Sequence, residues 1–240
     1  MYYRIAKFFL AFFDNFYKKK IFKFLKRLFG EEFSFLIDVG AHHGESIKIF
    51  SNNFKVKKII AFEPSKENFG ILEKKTKNYK NLKLYNIALG EHSGFANFTE
   101  HFDSESSTLT EINKNSNYYK KKNYLLNFFG TNKKNLKLVK VKIDRLDQIL
   151  INEKFENIDM LKIDTEGYDF FVLKGLGNII QKVKVLYFEH HFHNMLKKNY
   201  TLSDVHSFLI KNNFKKIYKN KMFFRKTFEY IYTNNTYLNE

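Results

Sequence analysis

The chain has 240 residues and no cysteine, and its 42 Lys and Arg outnumber 25 Asp and Glu to give a formal charge of +17. Disulfides, thiolate metal sites and cysteine nucleophiles are therefore excluded, and any metal would need His or carboxylate ligands. The charge invites a polyanionic partner, but it comes with abundant Asn, Phe, Tyr and Ile, a single proline and no tryptophan; adenine- and thymine-rich coding produces that skew, and no one basic stripe dominates, so nucleic acid is not the expected partner.

The chain opens with MYYRIAKFFLAFFDNFYKKKIFKFLKRLF. Lys7 and Asp14 bracket its apolar stretch Phe8 to Phe13, which falls far short of the roughly 18 to 20 residues a bilayer span needs. No small-residue cleavage site follows. Residues 1–32 are expected to form a helical extension whose aromatic face caps the following domain. Aromatic and basic residues alternate here, which supports a second reading: residues 1–29 lie on anionic lipid, at the inner membrane surface of an otherwise cytoplasmic protein.

Residues 33–240 read as one domain. Short apolar runs (FLIDVG, KIIAFEP, LKLYNIAL, IDMLKID, KVLYFEH) alternate with segments of helical spacing such as Ile47, Phe50 and Phe54, the pattern of an α/β sheet with crossover helices. The alternation breaks at residues 101–140, a partly irregular insertion expected to be mobile or to order on substrate. After the fifth strand, Thr201-Leu-Ser-Asp204 can cap a helix. Phe214 to Tyr218 and Glu229 to Tyr232 predict a closing antiparallel pair.

The candidate site follows from the strand ends. Asp38-Val-Gly40-Ala41-His42-His43-Gly44 follows the first strand, where glycine lets the backbone bend and approach a ligand. Glu63, before Pro64 at the end of the second strand, is the acid expected to take ribose hydroxyls. A dinucleotide loop would have a glycine where His42 stands, so a pyrophosphate fits poorly; S-adenosylmethionine, with a ribose and no phosphate, suits this loop better. Asn86 and Ala88 follow the third strand, Asp164-Thr-Glu166-Gly167 the fourth, and Glu189-His190-His191 the fifth. Open α/β sheets bind ligands along this rim. Asp164 or Glu166 could take an acceptor proton, as could His190 or His191, which titrate near neutrality. With Asp164 the histidines could instead hold a divalent ion, and whether a metal takes part is left open.

DVGAHHGE, AFEPSKENF, Asn86-Ile-Ala-Leu-Gly90, Ser106-Ser107 and above all IDMLKIDTEGYDFFVLKG resemble the FkbM family of S-adenosylmethionine-dependent methyltransferases, from about Phe33 to Met195. The resemblance implies a class I (Rossmann-like) fold: a seven-stranded, mostly parallel sheet with one antiparallel strand and helices on both faces. It also implies methylation of a hydroxyl on a sugar, glycan or other small natural product. With the strand-end reading, cofactor binding is expected of Asp38, Gly40, Ala41, His42, Gly44, Glu63, Pro64, Asn86, Ala88 and Asp164, and catalysis of Asp164, Glu166 and His190. Two rival readings are RNA ribose methylation and a non-catalytic adapter that docks on membranes or partners. The N-terminal helices and the Lys-Asn-rich insertion lie outside the shared pattern.

Overall fold

The computed structural model describes residues 19–101, 104–128, 136–222 and 225–237. The apolar run Phe8 to Phe13 and most of the segment read as lipid-facing lie outside these residues. Residues 19–29 form α1, followed by β1 (Glu32–Val39), α2 (Glu45–Asn53), β2 (Lys55–Phe62), α3 (Lys66–Thr76), β3 (Leu82–Tyr85), β4 (Ala88–Leu89) and β5 (Gly94–Glu100). Then come α4 (Asn117–Phe128), β6 (Lys137–Asp144), α5 (Leu146–Ile149), β7 (Ile158–Ile163), α6 (Asp169–Lys174), β8 (Val183–His191), α7 (Leu202–Lys211), β9 (Phe214–Lys221) and β10 (Thr227–Asn234). Among the described residues no helix is long and apolar enough to cross a membrane.

The main sheet has seven strands in the order β3-β2-β1-β7-β8-β10-β9. The pairings from β3 to β8 are all parallel, and β10 runs antiparallel to both of its neighbours. β1 is buried without interruption from Phe35 to Val39, as a central strand covered on both faces must be. On one face Ile37, Val39, Leu161 and Ile163 pack with Val172 and Leu173 of α6 and Val205 and Leu209 of α7. On the other, Leu36 and Met160 pack with Ile21 and Leu25 of α1, Ile47 and Phe50 of α2 and Leu72 of α3. The aromatic face of α1 thus closes one side of the core: the Phe22 ring meets Phe50 edge-on, with centroids 5.2 Å apart.

The capping box read from the sequence at the start of α7 is present, with Thr201 Oγ1 accepting from the Asp204 N–H and Asp204 Oδ2 accepting from the Thr201 N–H.

Two local expectations change. LKLYNIAL does not form one strand: β3 stays in the main sheet, while β4 pairs with β6 in a second sheet ordered β4-β6-β5. The break falls at Asn86, whose side-chain amide donates to the carbonyls of Glu63 and Pro64. The insertion is also more regular than its composition suggests. Its described part holds a 3₁₀ turn (Ser104–Ser106), β-bridges from Thr108 to Thr99 and from Ile112 to Leu196, and α4. Tyr118 of α4 stacks on His193 with ring centroids 4.1 Å apart. The Ile112–Leu196 bridge and the Tyr118–His193 stack join residues far apart in sequence, so the segment's own weak periodicity does not reveal them.

Candidate active site

The chain reverses direction across the sheet at β1, between β2 and β7, and the turns after these strands meet there. The Gly40 and Ala41 N–H groups both donate to the Phe62 carbonyl at 3.0 Å, and the Asp164 N–H donates to the Val39 carbonyl at 2.9 Å. Gly40 has a φ of +80°, and a Cβ on it would lie 1.9 Å from the Asp164 carbonyl oxygen. Gly44, φ +87°, begins α2, and its missing Cβ leaves room for Leu72 and Thr76 of α3. The sequence suggested that these glycines clear space for a ligand. At both positions protein fills that space, so the glycines draw β1, β7 and α3 together and position the loop.

Glu63 sits behind the loop, 4% exposed. Its Oε2 accepts from the His42 N–H at 2.9 Å and its Oε1 from the Ser65 N–H at 3.0 Å. The Asn68 side chain also hydrogen-bonds this carboxylate, and of its roughly four lone-pair positions about one remains for a ligand hydroxyl. Burial pushes the Glu63 pKa up to about 7, against the opposing pull of those backbone N–H groups.

Gly40, Ala41, His42, Glu63, Pro64, Ala88, Asp164 and Glu166 all line one cavity of about 360 Å³, within the usual range of small-ligand sites. Phe62, Ile87 and Leu89 give it apolar lining, and Glu189 and Lys162 also line it. Asp38, Gly44, Asn86 and His190 are not in its lining. Asp38 is fully buried, accepting from Ser46 Oγ at 2.7 Å and from Lys162 Nζ at 3.2 Å. Asn86 holds the backbone behind Glu63. His190 faces Lys198, with Nε2 and Nζ 3.1 Å apart, and packs against Phe192 and Tyr200; burial and the Lys198 charge push its pKa down to about 4. Of the three residues proposed for catalysis, the structure brings Asp164 and Glu166 together at the cavity and leaves His190 outside it.

The turn that carries the two acids is braced from several sides. Asp169 Oδ1 accepts from the Thr165 N–H and hydroxyl. Thr108 Oγ1 donates to the Glu166 carbonyl, and the Tyr200 hydroxyl donates to that of Gly167. Glu166 itself has φ +50°, a left-handed conformation that a non-glycine residue holds only at a cost. Burial, followed by the Asp164 charge, raises the Glu166 pKa to about 8. Glu189 is raised well above the carboxylate range by burial and by Asp164.

Sequence reasoning missed Lys162. Its ammonium lies 3.2 Å from Asp38 and 3.5 Å from Asp164. Burial opposes its charge, yet the Asp38 and Asp164 carboxylates raise its pKa. A lysine in the middle of a buried strand, within LKID, was the available signal: a buried lysine is expected to be paired.

The adenosyl group of S-adenosylmethionine fits these residues. The buried Glu63 carboxylate at the cavity wall would accept from a ribose hydroxyl, and the apolar side chains lining the same cavity would suit a flat base. Glu63→Ala is expected to weaken binding of S-adenosylmethionine by about 1.5 to 3 kcal/mol per lost charge-assisted hydrogen bond, measured by calorimetry. The ionised carboxylate is the better acceptor, so wild-type affinity should fall as pH drops below about 7, the raised Glu63 value; Glu63→Gln should lose this dependence.

A seven-stranded sheet that is parallel except for one antiparallel strand next to its edge, with a cavity at the reversal of strand order, is the architecture of a class I methyltransferase. The chain belongs to the FkbM methyltransferase family, whose domain matches residues 38–216, and S-adenosylmethionine is the methyl donor of this class. No curated protein matches the sequence. Among solved structures, the chain is similar to methyltransferase FkbM from Methylobacillus flagellatus KT (15% identity, TM-score 0.52, covering 83% of this chain and 43% of that one). It therefore spans less than half the length of that relative. It is also similar to magnesium protoporphyrin IX methyltransferase from Synechocystis PCC 6803 with bound S-adenosylmethionine (7%, 0.51, covering 90% and 77%). A third similar structure is a Streptococcus mutans protein in complex with S-adenosylhomocysteine (12%, 0.50, covering 90% and 96%). At these identities the likeness is one of fold.

Proposed function

We propose that the chain transfers the methyl group of S-adenosylmethionine to a hydroxyl of a sugar, glycan or other small natural product. The observation that carries this reading is that Glu63 and the Asp164–Glu166 turn line one cavity: one carboxylate to hold the donor's ribose, and others to receive a proton from the acceptor. The donor supplies an electrophilic methyl on a sulfonium. The chain then has to align the acceptor oxygen, which contributes roughly 7 to 11 kcal/mol in well-oriented systems, and take up its proton. Asp164 is the proposed base. It is at the cavity wall, its backbone N–H is bonded to β1, and its carboxylate is within 3.5 Å of the Lys162 ammonium. Glu166 flanks it on the braced turn, and its raised pKa suits a group that holds or passes a proton near neutral pH.

The test is methyl transfer from radiolabelled S-adenosylmethionine to a panel of hydroxyl-bearing sugars and glycans, with total RNA alongside. Label in the glycan fraction supports the proposal. Label only in RNA would instead favour ribose methylation, and that activity should weaken steeply as salt is raised.

A further inference from the structure

The glycine loop carries two adjacent imidazoles that sheet packing does not require. The rings of His42 and His43 stack with centroids 3.7 Å apart, tilted by 27°. Each uses its Nε2 for an outer contact: His42 with Ser104 Oγ at 2.7 Å, His43 with Asn68 Oδ1 at 3.1 Å. An amide oxygen only accepts, so the neutral His43 ring carries its proton on Nε2 and has a lone pair on Nδ1. That Nδ1 lies 3.8 Å from Glu45 Oε1, and His42 Nδ1 lies 3.3 Å from Glu45 Oε2. Two electron-pair donors, the His43 nitrogen and the carboxylate, therefore face each other. Among the described residues this is the only group of three such side chains with one ligand atom each within 4.8 Å of the others.

We propose that His42, His43 and Glu45 form a binding site for a divalent transition-metal ion of the zinc class. Two imidazole nitrogens and a carboxylate oxygen are a donor set zinc accepts, with water completing four-coordination. Ser104 and Asn68 act as the outer partners that orient metal-bound histidines. Zinc approaches an imidazole in the ring plane at about 2.0 to 2.1 Å, so the stacked rings must fan apart on loading. Lys75, whose ammonium lies 3.5 Å from Glu45 Oε1, opposes the ion; it is half-exposed and can swing into solvent. The ion would link the glycine loop to the start of α2 and, through the outer partners, to α3 and the Ser104 turn. It would thus clamp the loop whose His42 N–H bonds Glu63, and it takes no part in methyl transfer.

The full chain, stripped with chelator, would be titrated with zinc chloride in a calorimeter and with cobalt(II) by absorption. One ion per chain is expected, with a tetrahedral cobalt spectrum. His43→Ala and Glu45→Gln should each abolish both signals, Asn68→Leu should weaken zinc binding by about 10- to 100-fold, and Lys75→Ala should strengthen it. Glu45→Gln keeps the side chain's shape, and circular dichroism would confirm that each variant is folded. No zinc uptake by the wild type, or uptake unchanged in both His43→Ala and Glu45→Gln, would overturn the proposal. Calorimetry with S-adenosylmethionine on the same samples reports the cofactor site separately.

Discussion

Gly40→Ala is expected to cost about 2 to 6 kcal/mol of folding stability, summing about 1 to 3 for a side chain held in the left-handed region and about 1 to 3 for overpacking. The added Cβ would stand 1.9 Å from the Asp164 carbonyl oxygen and 2.9 Å from its carbon. Both are backbone atoms, so a rotamer change cannot relieve the contact; the ends of β1 and β7 must separate. Native stability is typically only about 5 to 15 kcal/mol, so the variant should unfold at a much lower urea midpoint. Whatever folded fraction remains should bind S-adenosylmethionine poorly, since Glu63 and Asp164 are held on opposite sides of this junction. Gly70→Ala is the matched control. Gly70 lies within α3, and nothing lies within 4 Å of an added Cβ there, so alanine should stabilise by about 0.5 to 1 kcal/mol. Comparable losses in the two variants would remove the Gly40 junction from the account.

Asp164→Asn should lower methyl transfer by about 10² to 10⁴, the usual contribution of a positioned general base, and change S-adenosylmethionine affinity far less. Asparagine keeps the shape of the side chain and loses the ability to take a proton. Its neighbours make the readout specific: Lys162 would lose one of two carboxylate partners but keep Asp38 at 3.2 Å, so the floor of the site should hold. Parallel loss of turnover and cofactor affinity would mean that Asp164 shapes the site and another group takes the proton. Glu166→Gln would then be the next variant to measure.

The readability of each feature in the sequence follows from the range of the interaction behind it. The parallel strands were legible because burial on both faces leaves continuous apolar runs, as in Phe35 to Val39. The helix starting after Thr201 was legible because its cap is local. The place of Glu63, at a strand end beside the glycine loop, was legible because both neighbours are set by short local motifs. The role of Gly40 was not, because the atom it makes room for belongs to Asp164, 124 positions away in the chain. Lys162 was passed over for the same reason, since its partner Asp38 lies on another strand. His190 looked catalytic because it sits at a strand end in a histidine cluster; alternation along β8 and the packing of Lys198 and Tyr200 decide which way its ring faces, and neither can be read from a short motif. The insertion around α4 is held by Tyr118 on His193 and by the bridge from Ile112 to Leu196, pairings that leave no periodic trace.

Whether Glu63 holds the ribose of the methyl donor beside the glycine loop is decided by a crystal structure of the chain with S-adenosylhomocysteine. At least one ribose hydroxyl is expected within about 2.5 to 3.0 Å of the Glu63 carboxylate, with the sulfur directed toward Asp164. An adenosyl group bound elsewhere, or a Glu63 carboxylate making no contact with the ribose, would contradict that role.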